Sequence, residues 1–128
     1  MESTENAAVM RRIFEEVINA KKLDLAEELY AEDHDLYPNV AGVARGGAGM
    51  KEAFAGLHEQ FEDARAEIES LVAEGEMVAV RVTFSGRPAG TGGQIFWPEM
   101  VFTRFADGRA VESWEITDSG RTWTNPPW

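Results

Sequence analysis

The sequence predicts a single α+β domain, and three observations carry that reading. Apolar residues recur at helical spacing through the first half of the chain. Two-residue alternation dominates the second half. The 128 residues make one ordinary domain. Helices first and strands afterwards is the pattern of a segregated α+β architecture, with helices covering one face of a curved sheet and a small-molecule cavity between them.

The elements follow in order. Thr4 or Asn6 caps a first helix in which Val9, Ile13, Phe14, Val17 and Ile18 share a face, with Lys21 and Lys22 near its negative end. Asp24 caps a short second helix that turns Leu25 and Leu29 inward. A brief strand ends at Pro38. Gly42, Gly46, Gly47 and Gly49 form a loop, and a third helix runs from about Met50 to Phe61. This loop lacks the lysine followed by Ser or Thr that a phosphate-binding loop needs. Four strands then make an antiparallel meander: 64–74, 77–85, 95–105 and 110–117. The second of them alternates cleanly, with Val78, Val80, Val82 and Phe84 on one face. Glu74-Gly75-Glu76 is a turn, and Asp107-Gly108 is a hairpin signal. Pro98 within the third strand predicts a bulge or an edge.

Composition narrows the function classes. The chain has no cysteine, so disulfides, thiolate metal sites and cysteine nucleophiles are excluded. His34 and His58 lie far apart in sequence, so no histidine-built metal site is expected. The net charge of −11 repels phosphate backbones, and no nucleic-acid partner is expected. All of that net charge falls on residues 1–76. Residues 77–128 are neutral overall and hold all four tryptophans. There is no apolar run long enough to span a membrane and no basic, signal-like start, so a cytoplasmic protein is the expectation.

Several residues are candidates for chemistry. By the period of two, Glu112, Trp114, Ile116 and Asp118 share a face, which reads as a pocket wall carrying a carboxylate. Partial desolvation beside tryptophan raises a carboxyl's pKa toward the range useful for acid–base work. Equally, Asp118 opens the turn Asp118-Ser119-Gly120, where Asp commonly bonds its own backbone. Arg81 lies mid-strand among apolar neighbours. It calls for a carboxylate among Glu99, Glu112, Glu115 and Asp118, and reads as a positioner, an oxyanion stabiliser or a surface arginine with a packed stem. His34 between Asp33 and Asp35 predicts a raised pKa and a shuttle at the pocket rim, or else a structural role. Tyr30 and Tyr37 read as donors to a carbonyl or as core aromatics, and His58 as a surface residue. Trp97, Trp114, Trp123 and Trp128 suffice for a flat aromatic pocket. The tail 119–128 is expected to fold over the cavity mouth or over a partner subunit.

Five stretches carry a resemblance: Arg12-Ile-Phe-Glu-Glu-Val-Ile-Asn-Ala20, Leu23 to His34, Gly46-Gly47 before the third helix, Glu74 to Gly86, and Phe105 to Asp118. In this order and spacing the chain resembles a SnoaL-like polyketide cyclase of the nuclear-transport-factor-2-like superfamily, from about Asn6 to Asp118. The resemblance implies a cone-shaped, curved antiparallel sheet wrapped around N-terminal helices and enclosing an apolar pocket. It also implies a homodimer packed through sheet faces, and intramolecular aldol ring closure without metal or organic cofactor. Asp118 stands where relatives carry the acid–base aspartate, and His34 where many carry a cavity histidine. The strand Phe96 to Arg104 departs from the family in having no histidine, so Glu99 or Thr103 substitutes. Phe14 and Tyr37 stand at the tyrosine and base positions of the ketosteroid isomerases, which argues against that activity.

The expected catalytic set is Asp118, His34 and Arg81. The expected substrate-binding set is Tyr37, Trp97, Glu99, Phe102, Glu112, Trp114 and Phe14. The expected function is a cofactor-independent cyclase or isomerase acting on an apolar, carbonyl-bearing small molecule of secondary metabolism. A non-catalytic binding or dimerisation module and an epoxide-opening enzyme are the alternatives. The hairpin register decides the pocket face. A two-residue loop puts Glu99 on the Asp118 face, whereas a bulged register puts Met100 and Phe102 there.

Overall fold

The computed structural model describes residues 2–90, 92–118 and 124–128. Helix α1 (Glu2–Arg12) continues without interruption as a π-helical segment, Ile13–Asn19. A 3₁₀ turn (Leu23–Leu25) leads into the short α2 (Ala26–Leu29). Strand β1 (Tyr30–Tyr37) follows, then α3 (Gly46–Gln60). The remaining strands are β2 (Phe61–Glu74), β3 (Met77–Pro88), β4 (Ile95–Ala106) and β5 (Arg109–Thr117). They form one curved, unclosed sheet in the order β1-β5-β4-β3-β2.

The expected four-stranded meander is present, and β1 extends it to five strands. It joins β5 in parallel, pairing Asp35 with Glu112 and Tyr37 with Trp114. No hairpin constrains this pair, because α3 and three strands intervene, so the chain is free to run parallel. The sheet is therefore mixed rather than purely antiparallel.

Hydrophobic alternation places the core. Val78, Val80, Val82 and Phe84 are buried against Met10, Ile13, Phe14, Val17 and Ile18 from the first helix. The β2–β3 turn has Gly75 at φ 58°. Asp107 and Gly108 at φ 53° and 77° give β4 and β5 the doubly left-handed two-residue turn that matches strand twist. Pro98 forms no bulge against β3, where it pairs with Thr83 in unbroken register. Its carbonyl accepts from the Asp118 N–H (3.2 Å), on the side where β5 has just ended. The missing proline N–H thus falls at a local edge, as expected of a strand proline.

Local signals misplace three helix features. Neither Thr4 nor Asn6 caps α1, which starts at Glu2. Asn6 is buried, and its Nδ2 donates to the Gly75 carbonyl at 3.4 Å, tying the helix to the β2–β3 turn. α3 begins at Gly46, inside the predicted glycine loop. The glycines there serve close packing: a Cβ on Gly47 would sit 2.7 Å from the Ala26 carbonyl oxygen, and one on Gly46 would overlap the Glu32 carbonyl. His58 is half-buried rather than a surface residue. Its Nε2 donates to the Ile18 carbonyl at 2.8 Å and pins α3 to the π-helical segment.

The tail reaches the open face of the sheet, not the face toward the helices. The Trp128 indole donates to Thr83 Oγ1 at 2.8 Å, and Arg81 lies 5.1 Å from its ring centroid. Residues 119–123, including Trp123, lie outside the described residues.

Candidate active site

Register decides which side chains face the helices. Phe102 pairs with Trp114 and Met100 with Ile116, and the ladder slips by one residue between Arg104 and Phe105. The turn is the two-residue one, but this slip produces the faces of the bulged alternative. Met100, Phe102, Trp114 and Ile116 share the open face. Glu99, Val101 and Thr103 of β4 turn toward the helices, together with Ser113 and Glu115 of β5.

These inward residues meet Ile13, Phe14 and Ile18 of the π-helical segment around an enclosed cavity of about 30 Å³. That volume holds about one water molecule. Tyr30 also lines it. A cleft of about 450 Å³ opens beside it, between Leu36–Ala41 and Glu115–Thr117. Leu36 and Glu115 border both spaces.

Glu99 and Glu115 form the chemical centre. Their side chains are hydrogen-bonded to each other. Burial, followed by the neighbouring Glu115 charge, holds the Glu99 carboxyl well above the usual glutamate range. Two carboxyls in contact titrate as a pair, and burial favours the protonated form at Glu99. The site therefore offers two adjacent carboxyls, with Glu99 biased toward its acid form. Burial also raises the Tyr30 phenol, reinforced by Glu115 and Glu99, so that it remains a neutral O–H.

Behind the cavity wall lies a buried polar chain. His34 Nε2 is 2.9 Å from Ser113 Oγ, which is 2.9 Å from Thr103 Oγ1. His34 is 1% exposed, and burial lowers its pKa to about 4. The raised pKa expected from Asp33 and Asp35 is thus corrected. Strand alternation sends both aspartates to the opposite face, where Asp35 pairs with Arg45 at 3.0 Å, and desolvation of the ring outweighs their attraction.

The other expected site residues divide between the two faces. Phe14 lines the cavity. Trp97 is buried beside it, stacked on Phe84 at 5.6 Å and tilted against Phe61 at 4.8 Å. Asp118 follows the end of β5, half-buried, and is not among the residues lining the cavity. Trp114 and Phe102 are correspondingly on the open face, with Tyr37 stacked on Trp114 at 5.9 Å. Glu112 pairs with Arg104 at 2.8 Å. Arg81 is on the open face too. Its Nε donates to Ser70 Oγ at 3.2 Å and its guanidinium packs on Trp128, in place of the expected carboxylate. The pocket wall read from Glu112, Trp114, Ile116 and Asp118 is therefore corrected: Trp114 and Ile116 line an apolar groove of about 450 Å³ on the opposite side of the sheet. Glu115 and Ser113 are the inward residues that pattern reading passed over. Their signal was the register slip, which leaves Ala110 and Ser113 buried three residues apart instead of two.

Among the described residues, no group of three or more His, Asp or Glu side chains comes together as a metal would need.

A helix-filled, curved mixed sheet with an acid pair at the end of its cavity defines a class of small α+β pocket proteins. The family model for SnoaL-like polyketide cyclases matches residues 8–122, and the chain belongs to that family. Solved structures agree on the fold. TsrD from Streptomyces laurentii is 22% identical, with 92% of this chain and 91% of that one covered and a TM-score of 0.81. IdmH from Streptomyces antibioticus, proposed to be a polyketide cyclase, is 26% identical over 90% of this chain and 93% of its own, with a TM-score of 0.77. AclR from Streptomyces galilaeus, proposed to be a hydroxylase, is 25% identical over 91% and 90%, with a TM-score of 0.75. No curated protein matches at a significant level.

Proposed function

We propose that the protein is a cofactor-independent cyclase of secondary metabolism that closes a ring in a carbonyl-bearing, polyketide-like small molecule. The carrying observation is the Glu99–Glu115 carboxyl pair lining the cavity, with Glu115 also bordering the cleft and the Glu99 carboxyl held well above the usual glutamate range. The Glu115 carboxylate removes a proton next to a carbonyl. The enolate carbon attacks a second carbonyl carbon of the same molecule, and Glu99 protonates the resulting alkoxide. The proton then returns from Glu115 to Glu99 through their shared hydrogen bond, which resets the pair. Proton transfer of this kind contributes about 10²–10⁴-fold, and holding the chain folded for attack adds the larger part.

Asp118, to which the family resemblance points, is the competing acid–base assignment. The test is to delete the gene in the producing organism, restore single variants and profile metabolites by mass spectrometry. Glu115→Gln is expected to leave a precursor isobaric with the missing product, and Asp118→Asn to restore the product. The reverse pattern returns the role to Asp118. Full product from both variants sinks acid–base catalysis and supports a binding module. A second reading has an observation of its own: two acids in one cavity also suit epoxide opening, one protonating the oxygen and the other activating the nucleophile. Incorporation of ¹⁸O from labelled water into the product, or an ether ring, would identify it.

The open sheet face supports the homodimer reading. Met100, Phe102, Trp114 and Ile116 are exposed there side by side, with Ile116 77% accessible. Sedimentation equilibrium is expected to show a dimer for the wild type and a monomer for Phe102→Asp. A monomeric wild type at micromolar concentration removes this reading. No helix among the described residues is long and apolar enough to cross a membrane, and the cytoplasm remains the proposed location.

A further inference from the structure

The carboxyl pair accounts for proton transfer but leaves the His34–Ser113–Thr103 chain without a task. The chain is fully buried, and its two contacts are both 2.9 Å. Such groups are costly to bury and commonly hold a defined direction. Ser113 and Thr103 line the cavity, whereas His34 stands behind them and reaches it only through their hydroxyls.

A hydroxyl has one proton to donate and two lone pairs. The histidine at the end of a two-hydroxyl chain therefore limits its direction: a bare Nε2 fixes it, and an Nε2–H releases it. If Nε2 carries the imidazole proton, it donates to Ser113 and leaves the Ser113 proton available to Thr103, and in that arrangement the Thr103 proton is free to point into the cavity. If Nε2 is bare, every donation reverses and Thr103 offers the cavity only lone pairs. The second state would place an acceptor-only hydroxyl on a wall that already holds the oxygens of the Glu99–Glu115 pair. The first supplies a hydrogen-bond donor beside the acid pair, where a carbonyl oxygen gains charge during ring closure.

We propose that His34 is a positioning residue whose Nε2–H releases the Ser113 proton to Thr103, so that Thr103 donates to a carbonyl oxygen of the bound molecule. The inference rests on the carbonyl-substrate reading above and adds a donor to it. Burial keeps the ring neutral around pH 7, so that only one of its two nitrogens carries a proton and the tautomer has structural meaning.

The tautomer is measured directly on wild-type protein by ¹⁵N–¹H long-range NMR correlation of the imidazoles at pH 7. There are only two histidines, and His34→Gln identifies the His34 signals. Nε2–H is the expected result, and an Nδ1–H tautomer overturns the relay. The donor is measured with acetone labelled with ¹³C at the carbonyl as probe, its methyl groups left in the larger cleft and only its oxygen entering the cavity. Its carbonyl resonance is expected to move downfield on binding to the wild type and to Thr103→Ser. Thr103→Val should lose at least half of that displacement. His34→Gln, whose amide N–H can still donate to Ser113, should retain more of it than His34→Phe. Equal displacement in wild type and Thr103→Val, zero in both included, overturns the donor role. An Nδ1–H tautomer leaves the acid pair standing, whereas full product from Glu99→Gln and Glu115→Gln would sink that pair without altering the tautomer. The two ideas therefore fail separately.

Discussion

Glu99→Gln is expected to yield a protein that is more stable than wild type at pH 8 and that no longer makes product. Both halves follow from one observation: burial and the adjacent Glu115 hold the Glu99 proton on well above the usual glutamate range. As pH rises past the ordinary carboxylate range, the unfolded chain releases this proton while the folded chain retains it. The unfolded state then binds fewer protons, so stability falls with rising pH until the folded carboxyl also ionises. Glutamine has no proton to lose, and its amide can still donate to Glu115. The variant's melting temperature should therefore exceed that of wild type by a few degrees at pH 8, and the gap should close toward pH 4. Loss of the acid should reduce turnover by about 10²–10⁴-fold, seen as precursor accumulation in the complemented strain. Equal melting temperatures across this pH range would show that Glu99 ionises normally, and the proton-sharing account would fall with it.

The second large effect is mechanical. Gly47→Ala should destabilise the fold by about 1–3 kcal/mol in urea unfolding, the usual range for forcing an extra carbon into a closed contact. The new Cβ would meet the Ala26 carbonyl oxygen at 2.7 Å and the Glu27 Cα at 2.8 Å, and neither backbone atom can move aside without displacing α2. Gly56 is the control on the same helix. A Cβ there meets nothing within 4 Å, so Gly56→Ala should stabilise by about 0.5–1 kcal/mol through lost unfolded-state freedom. If both variants shift in the same direction, helix propensity alone governs α3, and the tight docking of its first turn is immaterial.

The site was half legible. Glu99 and Thr103 were readable as the polar residues standing in for a missing histidine on β4, and both line the cavity. His34 was readable as a functional candidate, but its environment was not. Its sequence neighbours are acids, while its spatial neighbours are Ser113 and the Tyr30 ring, T-shaped to it with centroids 4.7 Å apart. Adjacent residues on a strand face opposite ways, so the nearest charges in sequence were the wrong guide to its titration. Glu115 was visible only as a possible partner for Arg81. The two lie on opposite sides of the sheet, Glu115 toward the cavity and Arg81 under Trp128.

By itself the sequence determined whatever local chemistry controls: the alternation of β3, the left-handed turns at Gly75 and Asp107-Gly108, the helical periods and the family. Each rests on interactions within a few residues, and such patterns survive without knowledge of the rest of the chain. Only the tertiary structure decided which face of β4 and β5 meets the helices. Period-two alternation sorts residues into two sets but carries no sign. Both sets on β5 contain an acid and apolar carbon, so composition could not supply the sign either. It was set by one slipped residue beyond the hairpin and by where α1 and its π-helical extension pack. That choice put the half-buried carboxyl pair on the cavity side and the tryptophan-rich face outside.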